Sequence, residues 1–128
     1  YTSIVKRWLS KTYDISAFNG GEELIQGLNA RIPDLILMDY EMPDLDGYEL
    51  MKRIRSSEET KDIPVIFLTG KNDREHVFKI LNYKPDGYLL KTSQKENLLD
   101  FIERFFKETM YRRAYDKDFM DMDAEENI

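Results

Sequence analysis

Three side chains of different chemistry close three short apolar runs: Asp39 after Leu35-Ile36-Leu37-Met38, Thr69 after Ile63-Pro64-Val65-Ile66-Phe67-Leu68, and Lys91 after Tyr88-Leu89-Leu90. A carboxylate, a hydroxyl and an ammonium gathered at one point have few joint uses. As a nucleophile, Asp39 takes a phosphoryl group to form an acyl phosphate. The phosphoryl oxygens then need a cation and a hydrogen-bond donor, which Lys91 and Thr69 supply. Phosphoryl transfer also draws on a divalent ion to neutralise developing charge. Mg2+ prefers carboxylate, carbonyl and water oxygens, so Asp39 and the main-chain carbonyl of Glu41 are its expected protein ligands. The plainer alternative is a structural salt bridge between Asp39 and Lys91 that satisfies both groups.

The elements between these residues must bring them together. Ile4, Val5, Trp8 and Leu9 recur at helical spacing over residues 1–10, which predicts an amphipathic helix already under way at the first residue. Tyr13 to Phe18 reads as a short strand followed by a turn at Asn19-Gly20-Gly21, and Glu22 to Ala30 as a helix broken by Pro33. Leu35 to Met38 is an unalternated strand, as expected where helices cover both faces. Gly47 or the residue before it starts a helix with Leu50, Met51 and Ile54 inward and Lys52, Arg53 and Arg55 outward. A linker from Ser56 to Asp62 precedes the strand Ile63 to Thr69. Asn72 or Asp73 caps a helix carrying Val77, Phe78 and Leu81. Lys84-Pro85-Asp86-Gly87 is a turn, Tyr88 to Lys91 a strand, and a last helix from about Gln94 turns Leu98, Leu99, Ile102, Phe105 and Phe106 inward. Strands alternating with helices predict an α/β fold with a parallel sheet and right-handed crossovers. Ligands of such sheets bind at the carboxyl ends of the strands. Asp39, Thr69 and Lys91 all fall there.

The 128 residues suit one domain, and a net charge of −6 gives no basic field for direct nucleic-acid binding. With no cysteine, disulfides and thiolate metal sites are excluded, which fits a reducing, cytoplasmic setting. The apolar runs are too short to cross a membrane. His76 is the single histidine, so a phosphoryl-donor histidine must come from another protein. Residues 111–128 hold six acids against three bases, while Tyr111, Tyr115, Phe119 and Met122 keep helical spacing. They are expected to form a solvated acidic arm or a helix continuing toward an output domain or a dimer partner.

PDLILMDYEMPDLDGYELMKRIR, IPVIFLTG and DGYLLK, in this order and spacing, resemble the receiver domain of two-component response regulators. The resemblance covers residues 1–108, with 109–128 as a C-terminal extension or linker. It implies a flavodoxin-like doubly wound parallel sheet of order 2-1-3-4-5. It implies that Asp39 is the phosphoacceptor, served by a histidine kinase or phosphotransfer protein, that Thr69 is the switch hydroxyl and that Lys91 binds the phosphate. Pro43 and Gly47 shape the loop, and Tyr88 matches an aromatic rotamer switch; its alternative role is an edge aromatic that simply packs. Glu41 and Lys71 match positions that tune loss of the phosphoryl group to water.

Two departures from the family pattern stand out. Receiver domains begin with a strand ending in two metal-holding acids, whereas this sequence begins in the first helix. The missing strand is the central one, so a strand is expected to fill its place, from residues upstream of Tyr1, from a partner by strand exchange, or from the tail Phe119 to Ile128. Upstream residues would then bring the remaining metal acids. The other departure is Thr92 after Lys91, where the family usually has a cis proline. A cis bond before threonine costs about 2.5–4 kcal/mol, so a trans bond is expected.

Other readings compete. Gly20-Gly21-Glu22-Glu23-Leu24 is similar to a diguanylate cyclase signature, but here it opens a helix. A haloacid-dehalogenase-like phosphatase shares the strand-end aspartate, yet wants a second aspartate where Glu41 stands. The stronger rival is a pseudo-receiver, a docking or dimerisation module that works without phosphorylation.

Overall fold

The computed structural model describes residues 2–39, 47–70 and 84–126, with side chains for 3–39, 47–70 and 84–112. The helix expected over residues 72–81 and His76 lie outside them. Two units, residues 1–93 and 94–128, are taken separately.

In the first unit the strand β2 (Val65–Thr69) is buried at all five positions. It pairs in parallel with β1 (Ile36–Asp39) on one side and β3 (Gly87–Leu90) on the other, giving the order β1-β2-β3. Side chains alternate across a pleated strand, so Ile36 and Met38 share a face with Val65 and Phe67. That face packs with Leu28 of α2 (Gly21–Ala30) and with Leu50, Met51 and Ile54 of α3 (Gly47–Ser56) in one buried cluster. Leu50, Met51 and Ile54 recur at helical spacing and are completely buried, each contributing about 1.5–3 kcal/mol of hydrophobic stabilisation. Ile66 and Leu68 point to the opposite face and are buried too, as are Val5 and Leu9 of α1 (Thr2–Leu9).

The helix ends follow from local chemistry. Glu22 and Glu23 lie in the first turn of α2, where the helix dipole favours anions, and Glu23 accepts the Asn19 N–H at 3.1 Å. Beyond α3, the buried Thr60 hydroxyl donates to the Ile54 carbonyl at 2.7 Å and so satisfies a group the helix itself leaves open.

Three expectations need correction. Tyr13 to Phe18 is not a strand but lacks regular secondary structure. β-branched and aromatic side chains favour a strand only where a neighbour completes the ladder. The family order puts that neighbour, the central strand, between this segment and β1, so the described residues carry the 3-4-5 part of the 2-1-3-4-5 sheet. The segment instead carries an exposed Asp14–Arg31 ion pair at 3.2 Å, and the tip of its Phe18 ring lies against Gly27. The second correction concerns Arg55. It does not face outward, its side chain being 16% exposed. The third concerns two strand starts. β2 begins at Val65 because Ile63 N–H is spent in a turn bond to Thr60 O and Pro64 has no N–H to give, and β3 begins one residue early, at Gly87.

The second unit contains α4 (Lys95–Glu126), 32 residues long. Leu98 and Ile102 are buried, Phe105 and Phe106 meet edge to face at 5.7 Å, and Met110 and Tyr111 are exposed. Because α4 runs unbroken through Phe119 and on to Glu126, its backbone groups are used within the helix, and the tail does not supply the central strand. No described helix is long and apolar enough to cross a membrane.

Candidate functional site

Register decides which side chains meet at the carboxyl edge. Asp39 ends β1 opposite Leu68, and Thr69 ends β2 opposite Leu90. Lys91 follows one residue later, and its N–H donates to the Thr69 carbonyl at 2.8 Å, extending the ladder past the end of β3. From there the Lys91 side chain passes over the end of β2 and reaches β1, with Nζ 2.7 Å from Asp39 Oδ1. The two side chains stay 26% and 23% exposed, so the pair is open to a reactant from solution. Thr69 stands between the two strands at the same edge and is buried. The three residues singled out from sequence therefore share one edge, and two of them touch.

Gly47, expected to shape the loop, is the buried first residue of α3. Glu41, Pro43 and Lys71 lie outside the described residues. No cis peptide occurs among the described residues, so the bond before Thr92 is trans, as expected of a non-proline residue.

Tyr88 sits opposite Phe67 in the β2–β3 register, and the rings stack with centroids 6.3 Å apart. The ring packs against the core cluster, and its hydroxyl is buried without a hydrogen-bond partner among the described residues. Burial pushes the phenol above its ordinary value of 10.0, because the phenolate is the form that loses most on leaving water.

The fit to Mg2+ is incomplete. Among the described residues no group of three or more His, Cys, Asp and Glu could hold a metal ion. Asp39 offers one carboxylate, which already faces an ammonium. These residues do not form a magnesium site by themselves.

Comparison with known proteins gives a consistent picture. The family model described as the response regulator receiver domain matches residues 2–103. The chain is 30% identical over 97 residues to the chemotaxis protein CheY-3 of Vibrio cholerae, covering 70% of this chain and 74% of that protein. It is 31% identical over 85 residues to the luminescence regulatory protein LuxO of Vibrio campbellii, covering 66% of this chain but 18% of that longer regulator. Among solved structures, the receiver domain of a signal transduction histidine kinase from Syntrophus aciditrophicus superposes with a TM-score of 0.72 at 29% identity, over 80% of this chain and 78% of that one. The receiver domain of a sensor histidine kinase from Pseudomonas aeruginosa PAO1, with a magnesium ion coordinated in its active-site cleft, gives 0.70 at 27% identity, over 80% and 84%.

Proposed function

The chain belongs to the response regulator receiver domain family, and from that premise we propose that Asp39 accepts a phosphoryl group from a histidine kinase or phosphotransfer protein. The observation that carries this reading is the 2.7 Å contact of Lys91 Nζ with Asp39 Oδ1 at the carboxyl edge of the sheet. An Asp39 oxygen attacks the phosphorus of a phosphohistidine protonated on its other ring nitrogen; the new P–O bond forms as the P–N bond breaks, and the imidazole keeps that proton and leaves neutral. Lys91, already beside Asp39, keeps its charge and moves its hydrogen bond to a phosphoryl oxygen. Thr69 supplies a hydroxyl at the same edge, and Tyr88 follows it in the switch. Gly47 and Pro43 shape the loop, and Glu41 and Lys71 set the lifetime of the acyl phosphate.

The requirement for Mg2+ belongs to the same proposal. Asp39 and the Glu41 carbonyl would contribute to its site, and the remaining acids would have to come from elsewhere. The domain would assist its own phosphorylation and dephosphorylation without acting as a turnover enzyme, in the cytoplasm. Residues 109–128 would connect residues 1–108 to an output domain or a dimer partner.

Titration with beryllofluoride and Mg2+, followed by amide NMR, tests the assignment. Shifts at Thr69, Tyr88 and Lys91 that vanish in Asp39→Asn support it, and an unresponsive wild-type spectrum refutes it. That second outcome selects a pseudo-receiver acting by docking or dimerisation. The feature favouring this rival is that the described residues do not form a magnesium site by themselves.

A further inference from the structure

At the amino end of the same sheet, Arg55 on α3 gathers two stretches of chain. Its Nη1 donates to the carbonyls of Lys61 at 3.0 Å and Ile63 at 2.7 Å, both in the approach to β2. Its Nη2 donates to the Lys84 carbonyl at 3.4 Å and lies 3.7 Å from Asp86 Oδ2, both in the approach to β3. Lys84 has φ 53°, a left-handed conformation a lysine adopts at some cost, and the guanidinium holds the carbonyl of that same residue. Asp86 completes the arrangement from the other side. Its Oδ2 accepts the Val65 N–H at 2.8 Å, and its own N–H donates to Val65 O at 2.8 Å. A side chain thus supplies the acceptor for the first N–H of β2, and the two strands start together at one fixed pairing.

We propose that Arg55, acting through Asp86, is a positioning residue for Lys91: it sets where β3 begins against β2 and hence which side chain arrives beside Asp39. The register runs without interruption from this clamp, through Ile66 opposite Gly87 and Thr69 opposite Leu90, to the Lys91 N–H on Thr69 O. Side chains alternate along a strand, so a slip of β3 by one residue would put Leu90 or Thr92 in place of Lys91 and turn Lys91 to the other face. A guanidinium suits the task better than an ammonium because its planar fork bonds several carbonyls at once.

This inference deepens the phosphoacceptor reading and rests on it for its purpose, but its geometry can be tested apart from phosphorylation. The readout is the side-chain ammonium signal of Lys91 in 15N-resolved NMR, assigned by its loss in Lys91→Arg and visible because pairing with Asp39 slows proton exchange. Arg55→Gln and Asp86→Asn are measured well below their melting temperatures. Asp86→Asn keeps an oxygen for the Val65 N–H and removes the charge facing Arg55, so it carries the test if Arg55→Gln does not fold. We expect loss of the Lys91 signal, or a shift to that of a free lysine, in each folded variant, with the signal kept in a control such as Leu28→Val, destabilised in the core away from the clamp. A lowered melting temperature with an unchanged Lys91 signal would overturn the proposal and leave Arg55 as a stabilising residue. If the wild type shows the Lys91 signal but ignores beryllofluoride and Mg2+, the phosphoacceptor reading fails while the positioning result stands.

Discussion

The two ends of one short sheet each carry a carboxylate facing a cation, and the pairs are built for opposite purposes. At the carboxyl end, Lys91 and Asp39 meet at 2.7 Å with about a quarter of each side chain in solvent. At the amino end, Arg55 and Asp86 stand 3.7 Å apart, yet both are also tied to backbone groups of the strands or their approaches. The first pair is held in place by the ladder; the second holds the ladder in place. An ion pair's separation is thus a poor guide to its structural weight, because the hydrogen bonds each partner makes elsewhere decide what its loss exposes.

Substitutions at the two ends should separate these purposes. The largest effect is expected from Asp39→Asn, which should abolish hydroxylamine-labile phosphate incorporation from a small phosphoryl donor while changing unfolding free energy by about 1 kcal/mol or less, since the amide keeps the shape of the carboxylate and Lys91 keeps access to water. Urea denaturation together with a radiolabel assay checks both halves, and a large stability loss would blur the contrast. Asp86→Ala should do the reverse. It leaves the Val65 N–H without its acceptor and costs about 1–3 kcal/mol in the same denaturation experiment.

Tyr88→Phe tests the interior between the two ends. It removes a buried hydroxyl without a described partner and should stabilise by about 1 kcal/mol. The same variant has a pH signature. The folded phenol holds its proton above the ordinary 10.0, so the folded form binds more protons in that window than the unfolded one. Stability from this source is complete below pH 10.0, declines above it, and finishes declining once the folded phenol has titrated. Tyr88→Phe should lack this alkaline decline, and an identical decline in both proteins would assign it to other groups.

Gly27→Ala, away from both ends, should have the smallest effect. A Cβ there would stand 2.4 Å from Phe18 Cζ, but this is the tip of a half-exposed ring that can swing aside. The gain in helix propensity, up to about 1 kcal/mol, should nearly offset the displacement. The melting temperature should move little while the Phe18 ring resonances shift.

The site was legible in the sequence because its chemistry sits at strand ends, and strand ends are marked by where apolar runs stop. Asp39, Thr69 and Lys91 needed only the assumption of a parallel sheet to fall on one edge. The clamp was not legible. Arg55 lies on a helix whose other cations face solvent, Asp86 looks like an ordinary turn residue before a glycine, and the two are 31 residues apart. Nothing in local pattern distinguishes an arginine that folds back onto carbonyls from one that does not. Tyr13 to Phe18 failed for a related reason, since composition reports what a segment tolerates and pairing depends on a neighbour outside the segment.

The long last helix has a mechanical consequence. The family match ends at residue 103, while α4 continues to Glu126, 23 residues further. At about 1.5 Å per residue this is a rod of roughly 35 Å leaving the matched region without a hinge in its secondary structure. Each residue inserted into it would rotate whatever is attached beyond by about 100° and push it outward by about 1.5 Å. A load carried on such a rod depends on phase as well as reach: one inserted residue changes the direction it faces, and a seven-residue insertion nearly restores it.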